Sequence, residues 1–207
     1  MSGLFNRLSK IDTSETIAEN KVVEQIIKCI NDSGYTFTEI NVVKPWGAYF
    51  RFGEQDEEMF IKEFFPDVNP DRLQLGNGGG LSMKILLADP GQGLSWQYHR
   101  RRSEIWAFVS EGAYKRSLDN KEGKLHQAKA GDIVQFKPHE RHRLIGCNNA
   151  YTIVAEIWQH TDADNLSNEE DIVRLIDDYS RVSKKTLFLA QASDYIKDHL
   201  SALKGKI

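Results

Sequence analysis

A chain of 207 residues can form one well-buried core with appendages, and its 40% apolar and 28% charged content is ordinary for a globular protein. A formal net charge of −3 gives no electrostatic reason to expect nucleic acid or an anionic membrane as partner. No apolar run approaches the roughly 20 residues of a membrane span. The opening Met1-Ser2-Gly3-Leu4-Phe5-Asn6-Arg7 also lacks the apolar core of a signal peptide, so a cytoplasmic protein is expected.

The first periodic segment runs from about Asp12 to Ser33. Val22, Val23, Ile26, Ile27 and Ile30 recur at helical spacing, Asp12 with Glu15 resembles a capping box, and Gly34 is placed to stop the helix. Cys29 and Cys147 form neither a CxxC motif nor a disulfide framework and read as two reduced thiols. Short runs rich in Val, Ile, Phe, Tyr and Trp follow, separated by turn signals, and predict an all-β sandwich or barrel. They lie near 36–43, 47–52, 59–65, 81–87, 94–98, 105–109, 114–118, 124–128, 133–136, 142–145 and 151–159. Between the third and fourth runs, Pro66 to Gly80 reads as a surface loop, either a lid or a plain insertion. From Asn168 the pattern predicts helix again, capped by Asn168 and opened by Glu169, Glu170 and Asp171, with a last amphipathic stretch from Ser193 to Leu203. The expected organisation is an N-terminal helical extension (1–34), a barrel (35–166) and a C-terminal helical segment packed on it (167–207).

Chemistry concentrates in GQGLSWQYHRRRSEIW (91–106) and GDIVQFKPHERHRL (131–144). Gln97 and His99 are two apart and share one face of a strand, Glu104 can return to that face from the next strand, and His142 follows the turn at Pro138. One amide oxygen, one carboxylate and two imidazoles suit zinc, manganese, iron or cobalt, with positions left open for a substrate. His139 and Glu140 compete with His142 for the same mouth, as proton-transfer groups or as exposed turn residues. His126, His160 and His199 stand in no constellation.

The two segments resemble the first and second cupin motifs, with Gln97 where the first motif has its first histidine. A Gln-x-His variant is what the type II phosphomannose isomerases carry. Three further stretches are similar to that family: KPWGAY (44–49), MKILLADPGQGLSWQ (83–97) and EEDIVRLIDDYSR (169–181). The likeness spans most of 44–52 and 82–181. The chain departs from it at Arg100-Arg101, where the family has two histidines, at Lys137-Pro138-His139 in place of a Pro-x-Gly turn, and at Ser180 in place of a glycine.

The resemblance implies a mainly β fold, a cupin (double-stranded β-helix or jelly-roll) barrel. It implies one divalent metal ion on Gln97, His99, Glu104 and His142, zinc first, with manganese, cobalt, iron or magnesium as alternatives. The implied reaction is aldose–ketose isomerisation of a sugar phosphate, with mannose 6-phosphate and fructose 6-phosphate as the leading pair. Another sugar-phosphate isomerase, a non-catalytic sugar-binding cupin and an iron dioxygenase are the alternatives. Lys84, His139 and Glu140 are candidates for the general base. Arg101, Arg102, Arg174 and Arg181 could hold phosphate, since guanidinium forks suit a dianion. Trp46 is the tryptophan best placed by its motif to meet a sugar; Trp96, Trp106 and Trp158 read as core. Type II enzymes often carry a nucleotidyltransferase domain in front, for which the N-terminal segment is too short. A homodimer is expected.

Overall fold

The computed structural model describes residues 3–68, 73 and 81–179. The chain divides into a unit of residues 1–176 and a second of 177–207, of which only 177–179 are described. Arg181, the Asn77–Gly80 tract, His199 and the stretch 193–203 therefore lie outside the described residues.

The first unit is built on two antiparallel sheets. One has six strands in the order β1 (Phe37–Lys44), β2 (Gly47–Phe52), β3 (Leu81–Ala88), β10 (Thr152–His160), β5 (Arg102–Phe108) and β8 (Ile133–Phe136). The other has five, in the order β11 (Ile172–Ile176), β4 (Trp96–His99), β9 (Arg141–Ile145), β6 (Gly112–Ser117) and β7 (Leu125–Ala128). From β3 onward consecutive strands alternate between the sheets, as in a jelly roll, except for β6 and β7, which pair as a hairpin within the five-stranded sheet.

Three helices, α1 (Leu4–Leu8), α2 (Glu19–Asp32) and α3 (Glu57–Phe64), cover the outer face of the six-stranded sheet. Val22, Val23, Ile26 and Ile30 of α2 and Phe60, Ile61 and Phe64 of α3 join one core with Phe50, Phe52, Ile85, Leu87, Ala107, Ala155 and Ile157. The apolar stripe predicted near the N-terminus thus packs on the barrel. Because this sheet is covered on both faces, all nine residues of β10 are buried rather than every second one.

Three predicted elements are corrected. The first long helix starts at Glu19, not near Asp12, because residues 13–15 are tied to the barrel: Glu15 N–H donates to Asn149 O (3.0 Å) and Tyr151 N–H to Thr13 O (2.7 Å). Asp12 caps a local turn instead, accepting from Ser14 N–H at 3.0 Å. The run 59–65 is the helix α3, whose buried Phe60, Ile61 and Phe64 follow helical spacing. The helix expected from Asn168 is one 3₁₀ turn, Glu169–Asp171, followed by strand β11; Asn168 does cap it, accepting from Glu170 N–H. Pairing of β11 against β4 protects what would otherwise be a bare sheet edge. The stop at Gly34 stands as expected, with φ +82°.

Candidate metal centre

Inner-face residues of the six-stranded sheet lie in cross-strand rows set by register. Glu39, Arg51, Lys84, Glu156 and Trp106 are successive partners across β1, β2, β3, β10 and β5, and Trp158 stands opposite Glu104 one row along. In the facing sheet Gln97 is the partner of His142 across β4 and β9.

His99, Glu104 and His142 are brought together in the interior, at 1%, 2% and 1% exposure, with one donor atom from each lying within 4.8 Å of the others. Among the described residues this is a set able to hold a metal ion. His99 Nε2 is 3.0 Å from Glu104 Oε1, and His142 Nε2 is 3.1 Å from Glu104 Oε2. His142 Nδ1 lies 3.0 Å from the Glu140 carbonyl oxygen. A carbonyl can only accept, so in the neutral ring Nδ1 carries the proton and Nε2 turns a lone pair toward the carboxylate. Two acceptors then face each other, and both Glu104 Oε2 and His142 Nε2 are buried without a hydrogen-bond partner, as is His99 Nδ1. A cation between Glu104 Oε2 and His142 Nε2 would satisfy both of those atoms, so the residues fit a divalent ion.

Burial alone would raise the Glu104 carboxyl, but the positive charge around it, of which the Arg102 guanidinium is the permanent part, outweighs burial and holds the group well below the usual carboxylate range. Burial, with Arg102 adding to it, pushes His99 down to about 4 and so favours the neutral imidazole a metal requires. Gln97 is buried beside the set, but its Oε1 accepts from Ser95 Oγ–H at 2.7 Å.

Arg102 is the arginine that enters the site. Its Nε donates to Glu104 Oε1 (2.9 Å), its Nη2 lies 3.3 Å from His99 Nε2, and its Nη1 donates to Ser167 Oγ (3.0 Å) and Asn168 O (3.2 Å). Arg101 does not point inward as an unbroken strand would require, because β4 ends at His99. Its Nε lies 3.4 Å from Asp171 Oδ1, and the Arg100 and Arg101 amides also donate to Asp171, which clamps the turn. Arg174 is exposed on β11 opposite Gln97.

His139 is exposed at φ 64°, with its ring 5.9 Å from that of Tyr98, which alternates with Gln97 and His99 and so faces away from them. Glu140 is buried but engaged: its Oε1 accepts from Arg116 Nε (2.6 Å) and its Oε2 from Lys137 N–H (3.1 Å). Both residues shape the turn that presents His142. Trp46 is buried in the β1–β2 turn, where Gly47 pairs with Ala88, four residues along β3 from Lys84 and so roughly 13 Å away at strand rise.

Lys84 does face the interior. Its Nζ stands 3.8 Å from Glu156 Oε2, 3.6 Å from Glu169 Oε1 and 3.1 Å from the centroid of the Trp158 ring, with Arg102 Cζ 3.4 Å from that ring. Two cations so close to one indole hold it between them. Burial lowers Lys84 to about 8, against the opposing pull of Glu156 and Glu169. Burial and the charge of Glu104 raise Glu156 to about 7, and Trp106 Nε1 donates to its Oε1 at 3.1 Å. Glu156 was not anticipated, although a lone carboxylate within TIVAEIW is a signal in itself. Arg51, Ser167, Glu169 and Asp171 carry no comparable signal.

Barrel and site together define a cupin-type fold with a buried cluster competent to bind metal. No protein-family profile and no curated protein sequence matches the chain. Among solved structures it is similar to the capsular polysaccharide assembling protein CapF from Staphylococcus aureus (12% identity, TM-score 0.44, covering 67% of this chain and 34% of that one). It is also similar to a cupin 2 conserved barrel domain protein from Salinispora arenicola (16% identity, TM-score 0.39, 61% and 83% covered). A third likeness is to Lactobacillus farciminis oxalate decarboxylase (13% identity, TM-score 0.45, 75% and 38% covered). Among the described residues, no helix is long and apolar enough to cross a membrane.

Proposed function

We propose that the chain is a metal-dependent aldose–ketose isomerase of a sugar phosphate, with mannose 6-phosphate and fructose 6-phosphate as the leading pair. The observation that supports it is the buried Lys84–Glu156 pair in the same barrel interior as His99, Glu104 and His142. Those three residues would hold a divalent ion, zinc first, which when bound supplies Lewis-acid polarisation of a carbonyl and orientation of the adjacent hydroxyl.

Glu156, raised to about 7, suits a general base at neutral pH. Its carboxylate takes the proton from C2, the C2–H electron pair becomes the C1=C2 bond, and the carbonyl pair moves onto O1, giving a cis-enediolate. A proton then passes from O2 to O1, C2=O forms, and Glu156 returns its proton to C1. Lys84 beside it favours the ionised carboxylate and stabilises the developing negative charge. Arg102 keeps Glu104 ionised and oriented through their 2.9 Å contact.

The test is a coupled assay of the metal-reconstituted protein on a panel of hexose, pentose and heptose phosphates. Turnover with solvent hydrogen entering C1 supports the proposal. Undiminished turnover in metal-free protein would sink it, and tight binding of one sugar phosphate without turnover would mark a sugar-binding module instead.

A further inference from the structure

At the barrel mouth two cations from neighbouring strands meet one carboxylate from the 3₁₀ turn. Lys84 Nζ is 3.6 Å and Arg51 Nη2 4.0 Å from Glu169, the nearest oxygen in both cases being Oε1. Both separations are those of ion pairs, longer than a hydrogen bond. Lys84 is 3% exposed, Arg51 Nε is buried without a hydrogen-bond partner, and Glu169 is 46% exposed. Glu169 is thus the most exposed member; Lys84 is held inside, while Arg51, 30% exposed, also pairs through Nη1 with Glu39 Oε2 at 3.6 Å. The turn beneath it is pinned separately: Asn168 caps Glu170 N–H, and Asp171 Oδ2 accepts from Ser167 Oγ (2.8 Å). The Glu169 side chain can therefore leave by rotating while its backbone stays.

We infer that Lys84 and Arg51 form an anion subsite in which Glu169 is the resident carboxylate, exchanged for a phosphate group when ligand enters. A carboxylate offers two oxygens in a plane, whereas a phosphate dianion offers three in a tetrahedron and carries twice the charge, so it can engage both cations at once. The subsite is one indole ring from Arg102, and hence from the metal centre, because Trp158 stands between Lys84 and Arg102. This places phosphate on β2 and β3 rather than on Arg101 or Arg174. The assignment of the anion as a sugar's phosphate rests on the isomerase reading; the cation pair and its exchangeable carboxylate do not.

Calorimetric titration of the metal-loaded protein with inorganic phosphate tests the inference. Glu169→Gln removes the competing charge at constant shape and is expected to tighten phosphate about five- to tenfold, whereas Arg51→Gln weakens it about tenfold. Glu169→Gln combined with Arg51→Gln should bind phosphate more tightly than Arg51→Gln alone but more weakly than Glu169→Gln alone, because Lys84 remains for Glu169 to compete over. Unchanged affinity in Glu169→Gln, or phosphate binding indifferent to Arg51→Gln, would overturn it; thermal melts of each variant show whether folding is intact. If Glu169→Gln tightens phosphate but no sugar phosphate turns over, the subsite stands and the isomerase reading fails. If sugar phosphates turn over while phosphate affinity ignores Glu169, the reverse holds.

Discussion

His142 gives its Nδ1 proton to the main-chain carbonyl of Glu140, 3.0 Å away, and so turns Nε2 toward Glu104. The ligating tautomer is thereby fixed by the same turn that Glu140 braces through Arg116 and the Lys137 amide. His142→Ala is expected to reduce bound metal from one ion per chain to near none, read by elemental analysis after dialysis. Gln97→Ala should weaken metal by only about tenfold, because a neutral amide already accepting from Ser95 contributes little.

Arg102 fills the interior between Glu104, Ser167 and Trp158 at 1% exposure. Removing it leaves the Glu104 carboxylate buried without its counter-charge. Arg102→Met should destabilise the metal-free protein by about 3–5 kcal/mol in urea denaturation. The loss should shrink when metal is present, since a bound cation neutralises the same carboxylate. An equal loss with and without metal would separate Arg102 from the centre.

Glu156 is held up to about 7 against an ordinary 4.5. Between those values the folded protein keeps a proton that the unfolded chain has released. Its contribution is therefore fully present below 4.5 and lost as the pH rises through 7. Urea midpoints of metal-free protein from about pH 5 to about pH 8 should fall more steeply for the wild type than for Glu156→Gln. Parallel profiles would show that Glu156 is not the group responsible.

Phe60 is fully buried in the helical layer against Tyr35, Phe52, Phe64 and Phe65. Phe60→Ala should cost about 3–5 kcal/mol of stability, measured by denaturation. Metal affinity should be unaffected, because this layer lies on the outer face of the sheet whose inner face carries the site.

The strands were largely legible because strand periodicity and turn residues are local signals. His99, Glu104 and His142 were legible too, since a two-residue spacing and a short turn bring them to one face. The stretch 59–65 was misread because Phe60, Ile61 and Phe64 are good strand formers, and only packing against Phe52 and Tyr35 shows the helical face. The segment 169–176 was misread for the opposite reason. Its carboxylates suit a helix start, but pairing with β4 outweighs that local preference.

What the sequence determined by itself was a β-rich barrel and the His–Glu–His set, because alternation and turn chemistry act over a few residues. What only the tertiary structure decided was which charged groups meet. His139 and Arg101 lie close to the ligands in sequence yet do not join them, while Arg51, Lys84, Glu156 and Glu169 come together from three strands and a turn. Cross-strand register aligned Arg51, Lys84 and Glu156 in one row, the turn added Glu169, and register is a property of paired chains that no single stretch encodes.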